Sequence, residues 1–369
     1  MEAMADFIHV AAFEAALREP LRAVLRGAPV PWPREYDGEA FADACEEHGI
    51  GPLVHARLAL PELREQAMRA AVTEPLRLAD LRRVLGALGG AGVEALILKG
   101  TALAYDFYPS AELRPRGDVD LLVAEFARAA EVLRGLGYEA HANSGDELAL
   151  RQQSFGRADE FELLHVYDVH REIANPAAFA GVLGWEELRS RAIALPRIGI
   201  GARGLSRLDA LLLACVHRVA HHHDSDRLIW LYDIHLLRSA MAAGEQGAFW
   251  REAAERRVLA ICRRSVALAE EWFGTAGVAV EAVLTAEELA AEEPTARFLD
   301  RTQRRGALLV ASVAALPGWR ARVRRLRQLA FPPRVYMFER FATRSHAALP
   351  WLYALRGMRG LARLFRRIA

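Results

Sequence analysis

Residues 96–123 read LILKGTALAYDFYPSAELRPRGDVDLLV, and this stretch decides the fold. The run VEALIL that ends at Leu98 is short, apolar and bounded by glycine, which suits a buried strand. Thr101 to Tyr108 suits a short helix ended by Pro109, and VDLLV, residues 119–123, suits a second strand. Asp118 and Asp120 stand two apart at the head of that strand. Strand alternation therefore points both carboxylates to one face. Like charges this close repel unless a cation sits between them, and a hard divalent ion such as Mg²⁺ (or Mn²⁺) prefers oxygen ligands.

In isolation an Asp-x-Asp pair also occurs on plain surface strands; three neighbours give this one more weight. Lys99-Gly100-Thr101 lies between a strand and a helix, where backbone amides bind phosphate and glycine permits a close approach. Lys99 is also the only lysine among forty-eight Lys plus Arg, as if arginine's planar fork did not fit there. Arg114 and Arg116 precede the acidic pair, placed to neutralise a triphosphate or to steady the acids. Asp168, in FELLHVYDVHREI (residues 161–173), ends a third apolar strand and supplies a third carboxylate. Carboxylates bridging two metals can activate a hydroxyl and stabilise leaving pyrophosphate.

Outward from this core the periodicity is helical. FADACEEHGIGPLVHARL and EQAMRAAVTEPLRLADLRRVLGAL repeat apolar residues every three or four positions, with a Pro/Gly loop at 27–38. EFARAAEVLRGLG is an amphipathic helix stopped by Gly137. SRLDALLLACVHRVAHH, RLIWLYDIHLLRSAM and AFWREAAERRVLAICRRSVALAEEWFG are each long enough for a helix. The expected organisation is α+β: an N-terminal helical region at 1–88, a mixed-sheet core at 89–200, a helical domain at 205–316 and an Arg-rich tail at 317–369.

Composition fits a globular protein, with 53% hydrophobic and 26% charged residues. Cys45, Cys215 and Cys262 are far apart and form no CxxC or CxxH pair, so no disulfide partner or zinc framework is expected and a reducing cytoplasm suits them. MEAMADFIHV lacks the basic and apolar regions of a signal peptide, and no apolar run reaches membrane-spanning length. Charge is uneven. The chain totals +1, but residues 317–369 hold thirteen Arg and one acid, Glu339, giving that segment +12 and the rest −11. Three readings stay open for the tail: packing of its apolar face on the helical domain, binding of nucleic acid, or lying on an anionic membrane. In WLYALRGMRGLARLFRRIA, residues Trp351, Leu355, Met358, Leu361, Phe365 and Ile368 share one face.

The order KGTAL, RPRGDVDLLV, then VDVH resembles the bacterial "uncharacterised nucleotidyltransferase" branch of the superfamily related to DNA polymerase β. It is also similar to nucleotidyltransferase toxins of the AbiEii type. EHGIGPLVHARL (47–58) and HRVAHHHDSDRLIWLYDI (217–234) extend the resemblance across roughly 36–240. The resemblance implies a nucleotidyltransferase fold and Mg²⁺-dependent transfer of a nucleoside monophosphate from an NTP, with release of pyrophosphate. Asp118 and Asp120 would hold the metals, and Asp168 would bind one and orient or deprotonate the acceptor. Gly100 and Thr101 would contact the β- and γ-phosphates, with Lys99 bordering that loop. Arg114 matches an arginine of the branch, whereas Arg116 departs from its pattern.

His217 and His221 have i, i+4 spacing, but no Glu follows the first His, so HExxH is absent. The resemblance places His217 toward the cleft. Arg227, Trp230 and Asp233 share a helix face, as an Arg–Asp network or as nucleotide or acceptor contacts. His170 lies on the side of Asp168, positioning it or the acceptor, or serving as a buried structural histidine. Arg301, Arg304 and Arg305 read as a solvated helix face. Two alternatives stand beside the enzyme: a nucleotide-binding protein without turnover, and a nucleic-acid or membrane interaction protein acting through the tail. The acceptor, whether small molecule, peptide, sugar or RNA, is not encoded in any readable motif.

Overall fold

A computed structural model describes residues 13–141, 152–173, 177–179, 182–274, 276–300 and, with gaps, 313–365. The described residues open with helices α1 (Ala15–Leu25), α2 (Gly38–His48) and α3 (Gly51–Leu58). Asp37 caps α2 by accepting the Ala40 N–H at 3.0 Å, and Gly49, at φ +71°, ends it. The stretch FADACEEHGIGPLVHARL is thus two helices with a break at Gly49–Ile50. Helix α4 (Arg64–Gly90) runs twenty-seven residues through Pro75.

The expected α+β architecture is present, built among the described residues on one mixed sheet of seven strands. In chain order come β1 (Ala95–Ile97), α5 (Lys99–Asp106), β2 (Val119–Val123), α6 (Phe126–Gly135), β3 (Glu139–Ala140), β4 (Gln152–Ala158), β5 (Leu164–His170), α7 (Trp185–Arg191), β6 (Ile193–Ala194) and β7 (Arg203–Gly204). Spatially the order is β3-β4-β5-β2-β1-β7-β6. The sheet therefore runs past residue 200, since β7 pairs parallel to β1 at Ile97. Strand β2 is buried throughout, antiparallel to β1 and parallel to β5.

Alternation divides the sheet into two cores. Ile97, Val119, Leu121, Val123, Tyr167 and Val169 point to a back face covered by α4 (Leu81, Val84, Leu88) and α6 (Phe126, Ala129, Ala130, Leu133). Leu96 and Leu122 point to the front and join the larger helical core. That core is built on α8 (Arg207–Ala220), α9 (Leu228–Ser239), α10 (Ala243–Glu255) and α11 (Leu259–Phe273), with α1 to α3 packed against them. The stretch AFWREAAERRVLAICRRSVALAEEWFG is two helices, not one. Arg257 adopts φ +57°, its N–H and that of Val258 close back on Ala254 and Ala253, and fully buried Val258 seals the turn. A short α12 (Ala286–Ala290) follows.

The tail forms α13 (Gly318–Ala330) and α14 (Leu349–Phe365). Met337, Leu349 and Leu352 make a small separate core. Arg301, Arg304, Arg305 and Ile368, and the first ten residues, lie outside the described residues. Among the described residues no helix is long and apolar enough to cross a membrane. Cys45, Cys215 and Cys262 are buried free thiols.

Candidate active site

Register sets the acidic cluster. Asp120 on β2 lies opposite Asp168 on β5, and Leu122 opposite His170. Parallel pairing keeps these side chains on the front face, toward the helical core. Ligand atoms of Asp120, Asp168 and His170 all lie within 4.8 Å of one another, close enough to share a metal ion. Asp118 falls outside that group but lines the same cavity, at the solvent-accessible head of β2.

Two groups meet at one oxygen of Asp120. Lys99 Nζ lies 2.6 Å from Oδ1, and His170 Nε2 lies 2.8 Å from it. Burial alone would raise the pKa of Asp120. The Lys99 charge and the His170 hydrogen bond outweigh burial and hold it well below the usual carboxylate range. Asp120 is thus ionised, so His170 donates its Nε2–H, and its Nδ1 is buried without a partner. Asp118 moves the other way. Enclosure first, then the charges of Asp120 and Asp168, push it up to about 6. Asp168 accepts from Gln152 Nε2 and Ser154 Oγ on the neighbouring β4.

The lone lysine sits in a strained position. Lys99 has φ +52° at the first residue of α5, a region that costs a non-glycine residue about 1–2 kcal/mol. No side chain caps α5, so its first-turn amides are free of that competition where Gly100 and Thr101 line the cavity. Gly100 answers a packing need as well. A Cβ there would lie 2.9 Å from Arg114 Nη2.

Arg114 is committed elsewhere. Its guanidinium grips both oxygens of Asp233 on α9 at 2.7–3.1 Å, while Tyr108 donates to the same carboxylate at 2.8 Å. Nη1 bonds the Pro115 carbonyl. Asp233 therefore pairs with Arg114 and not with Arg227, and the pair braces the sheet against the helical core. Arg116 donates to Glu74 at 2.8 Å and approaches Thr101 Oγ at 3.4 Å. Neither arginine presents a free fork to phosphate in this state.

Arg227 before α9 and Arg77 on α4 also line the cavity, make no ion pair among the described residues, and each buries an Nε without a partner, although Arg77 Nη1 donates to the Arg116 carbonyl. Burial pushes both guanidinium pKa values down, the neighbouring charge of Arg116 adding to this for Arg77 and that of Arg114 for Arg227. Gly49 makes room for Arg227, whose Nη2 would lie 3.3 Å from a Cβ there. Arg77, Gln152 and Ser154 were not legible as site residues. Arg77 is one arginine among many on a helix, and Gln152 and Ser154 stand in a polar stretch that becomes a strand only by pairing with β5.

Opposite the acids stands an imidazole wall. His217, His221, His222 and Trp230 line the cavity. His222 Nε2 lies 3.1 Å from His217 Nε2, and the His222 and Trp230 rings lie 4.1 Å apart. Burial first, then the Lys99 charge, lowers all three histidines, His221 to about 3 and His222 to about 4. The wall is therefore neutral near pH 7. The cavity encloses about 810 Å³, in the range of small-molecule sites.

A family model described as Uncharacterised nucleotidyltransferase matches residues 34–274, well over half of the chain, and takes in the sheet, the cavity and helices α8 to α11. No curated protein matches the chain.

Proposed function

The chain belongs to the uncharacterised nucleotidyltransferase family, and from that premise we propose that it moves a nucleoside monophosphate from an NTP to an acceptor and releases pyrophosphate. One observation carries this reading: three carboxylates from adjacent strands converge on one cavity, with a single ammonium among them, beside an uncapped helix N-terminus.

The residues fit a divalent cation. Asp118, Asp120 and Asp168 offer hard oxygens, the Lys99 ammonium already supplies positive charge at Asp120 Oδ1, and His170 is occupied as a donor to that same oxygen. An all-oxygen set suits Mg²⁺ or Mn²⁺. Such an ion would neutralise the acids and draw charge from the phosphate oxygens.

The chain's own groups do the rest. First-turn amides of α5 at Gly100 and Thr101 receive phosphate oxygens. Arg227, free of ion pairs among the described residues, meets the triphosphate charge, with the remaining donors of Arg77 beside it. Lys99, at Asp120 Oδ1 on the edge of the cavity, is placed to meet phosphate charge, and Asp120 would help hold a divalent cation there. Asp168, held by Gln152 and Ser154, accepts the acceptor's proton. The acceptor oxygen forms a bond to the α-phosphorus as the bond from that phosphorus to the bridging oxygen breaks, and pyrophosphate departs. His170 positions Asp120 and contacts no substrate.

Calorimetry with ATP, GTP, CTP and UTP, each with and without Mg²⁺, tests the site without an acceptor. The expected result is metal-dependent binding of at least one NTP, lost in Asp120→Asn. Thermal melting checks that the variant is folded. Equal binding by wild type and variant, or none by wild type, would sink the reading.

A further inference from the structure

The family match ends at Gly274, before the tail, and the tail carries a feature that the catalytic reading does not use. On α13 the sequence GWRARVRRLRQLA places Trp319, Val323, Leu326 and Ala330 at i, i+4, i+7 and i+11, one continuous helix face. Every one of them is exposed: Trp319 is 69% accessible, Val323 and Leu326 each 53%, and Phe331, just beyond, 63%. Exposed Arg320 and Arg327 flank this stripe on one side and exposed Arg322 on the other. The helix contains five arginines and no acid.

The second tail helix repeats the theme. Leu349 and Leu352 of α14 turn inward to Met337, while Trp351 and Met358, one apolar face at i and i+7, stay 64% and 50% exposed. Tyr353 ties the two helices together, donating to the Pro332 carbonyl at 2.6 Å with its ring 5.8 Å from Phe331. The tail thus satisfies its own small core and still leaves large apolar side chains in water, within a segment of charge +12.

We propose that residues 318–365 are a peripheral membrane anchor whose α13 stripe enters the headgroup boundary of an anionic bilayer. Charge and shape agree on this occupant. A cationic segment is drawn to anionic lipid, and arginines flanking an apolar stripe can hold headgroups while the stripe leaves water. Trp at such a face is suited to the interface, apolar on its body and polar at its N–H. RNA would satisfy the arginines but would leave Val323 and Leu326 with nothing apolar to cover them. No helix here spans the bilayer among the described residues, so attachment is reversible and salt-sensitive.

The test is flotation of the full chain with vesicles of phosphatidylcholine mixed with phosphatidylglycerol, against pure phosphatidylcholine. Binding is expected only to the anionic vesicles and is expected to weaken with added salt. W319S/L326S is expected to lower partitioning by at least roughly tenfold. R320Q/R327Q is expected to lower it by roughly thirtyfold. Unchanged melting of both variants excludes misfolding. Absence of flotation with anionic vesicles overturns the proposal, including where the tail instead binds unstructured RNA or where W319S/L326S dissolves a dimer. Flotation that W319S/L326S leaves intact overturns it too.

Discussion

The two faces of the sheet hold carboxylates in opposite ways. On the back, Asp80 of α4 accepts from Arg83 and Arg157 at 2.9 Å, from Tyr167 at 2.8 Å and from Tyr138. Burial would raise its pKa, but these donors lower it to about 2. On the front, three carboxylates share one lysine and one histidine, and Asp118 is pushed up to about 6. The same β5 strand serves both faces, Tyr167 turning back to Asp80 and Asp168 turning forward to the cavity. A structural acid is surrounded by donors until its charge is preferred. A set of acids short of cations keeps its charge at a cost, and that shortfall marks where a ligand belongs.

Breaking the satisfied side should have the largest effect on stability. Asp80→Ala leaves two buried tyrosine hydroxyls without their acceptor and returns two partly exposed guanidinium groups to water, and is expected to lower unfolding free energy by about 2 kcal/mol, mostly through the unpaired hydroxyls. The pH dependence gives a second readout. A carboxylate with a lowered folded pKa contributes stability above its unfolded value near 4, and that stability fades as pH falls toward about 2. Urea titrations across that window should show the loss in wild type and a flatter curve in Asp80→Ala. Equal curves would mean the network holds the fold no more firmly than surface charge does.

The front should behave with the opposite sign. For Asp118 the folded state favours the protonated form, so it binds more protons than the unfolded chain between about 4 and about 6. Stability of metal-free protein should therefore fall as pH rises through that interval. Asp118→Asn should remove that fall, raising the melting temperature at neutral pH and leaving it nearly unchanged near pH 4. Added Mg²⁺ should stabilise wild type more than the variant, through binding to the folded state alone. A variant that melts below wild type at neutral pH would erase the contrast between the faces.

Much of this contrast was legible in the sequence, and the rest was hidden for identifiable reasons. Strand β2 was readable because VDLLV is uninterrupted and apolar, and Asp118-Val119-Asp120 because alternation is local. Strand β4 was not, since QQSFGRA is polar and takes its strand form from pairing with β5 across a hairpin. The break at Arg257 was hidden because a non-glycine residue adopts the left-handed turn, where glycine would have announced it. Arg114 precedes the acids, and that order points it toward phosphate. Its partner Asp233 lies 119 residues away, and no spacing rule reaches that far. Charge counting found the basic tail, but only fractional exposure shows that its apolar stripe on α13 is uncovered.

The smallest effect concerns the junction itself. Lys99 combines a left-handed backbone with an ammonium bonded to Asp120, and the two can be separated. Lys99→Ala and Lys99→Gly remove the same charge, but only glycine accepts φ +52° without a Cβ clash. Lys99→Gly should therefore be the more stable variant, by about 1 kcal/mol at most, because its looser unfolded chain offsets part of the relief. Both variants leave Asp120 with His170 alone, so both should gain more from Mg²⁺ than wild type does, where lysine competes for the same oxygen. Chemical denaturation with and without Mg²⁺ reads both terms at once. A Gly variant no more stable than the Ala variant would show that the backbone at 99 is not strained. A magnesium response equal to wild type would show that Lys99 does not stand in for the cation, and the front face would then resemble the back.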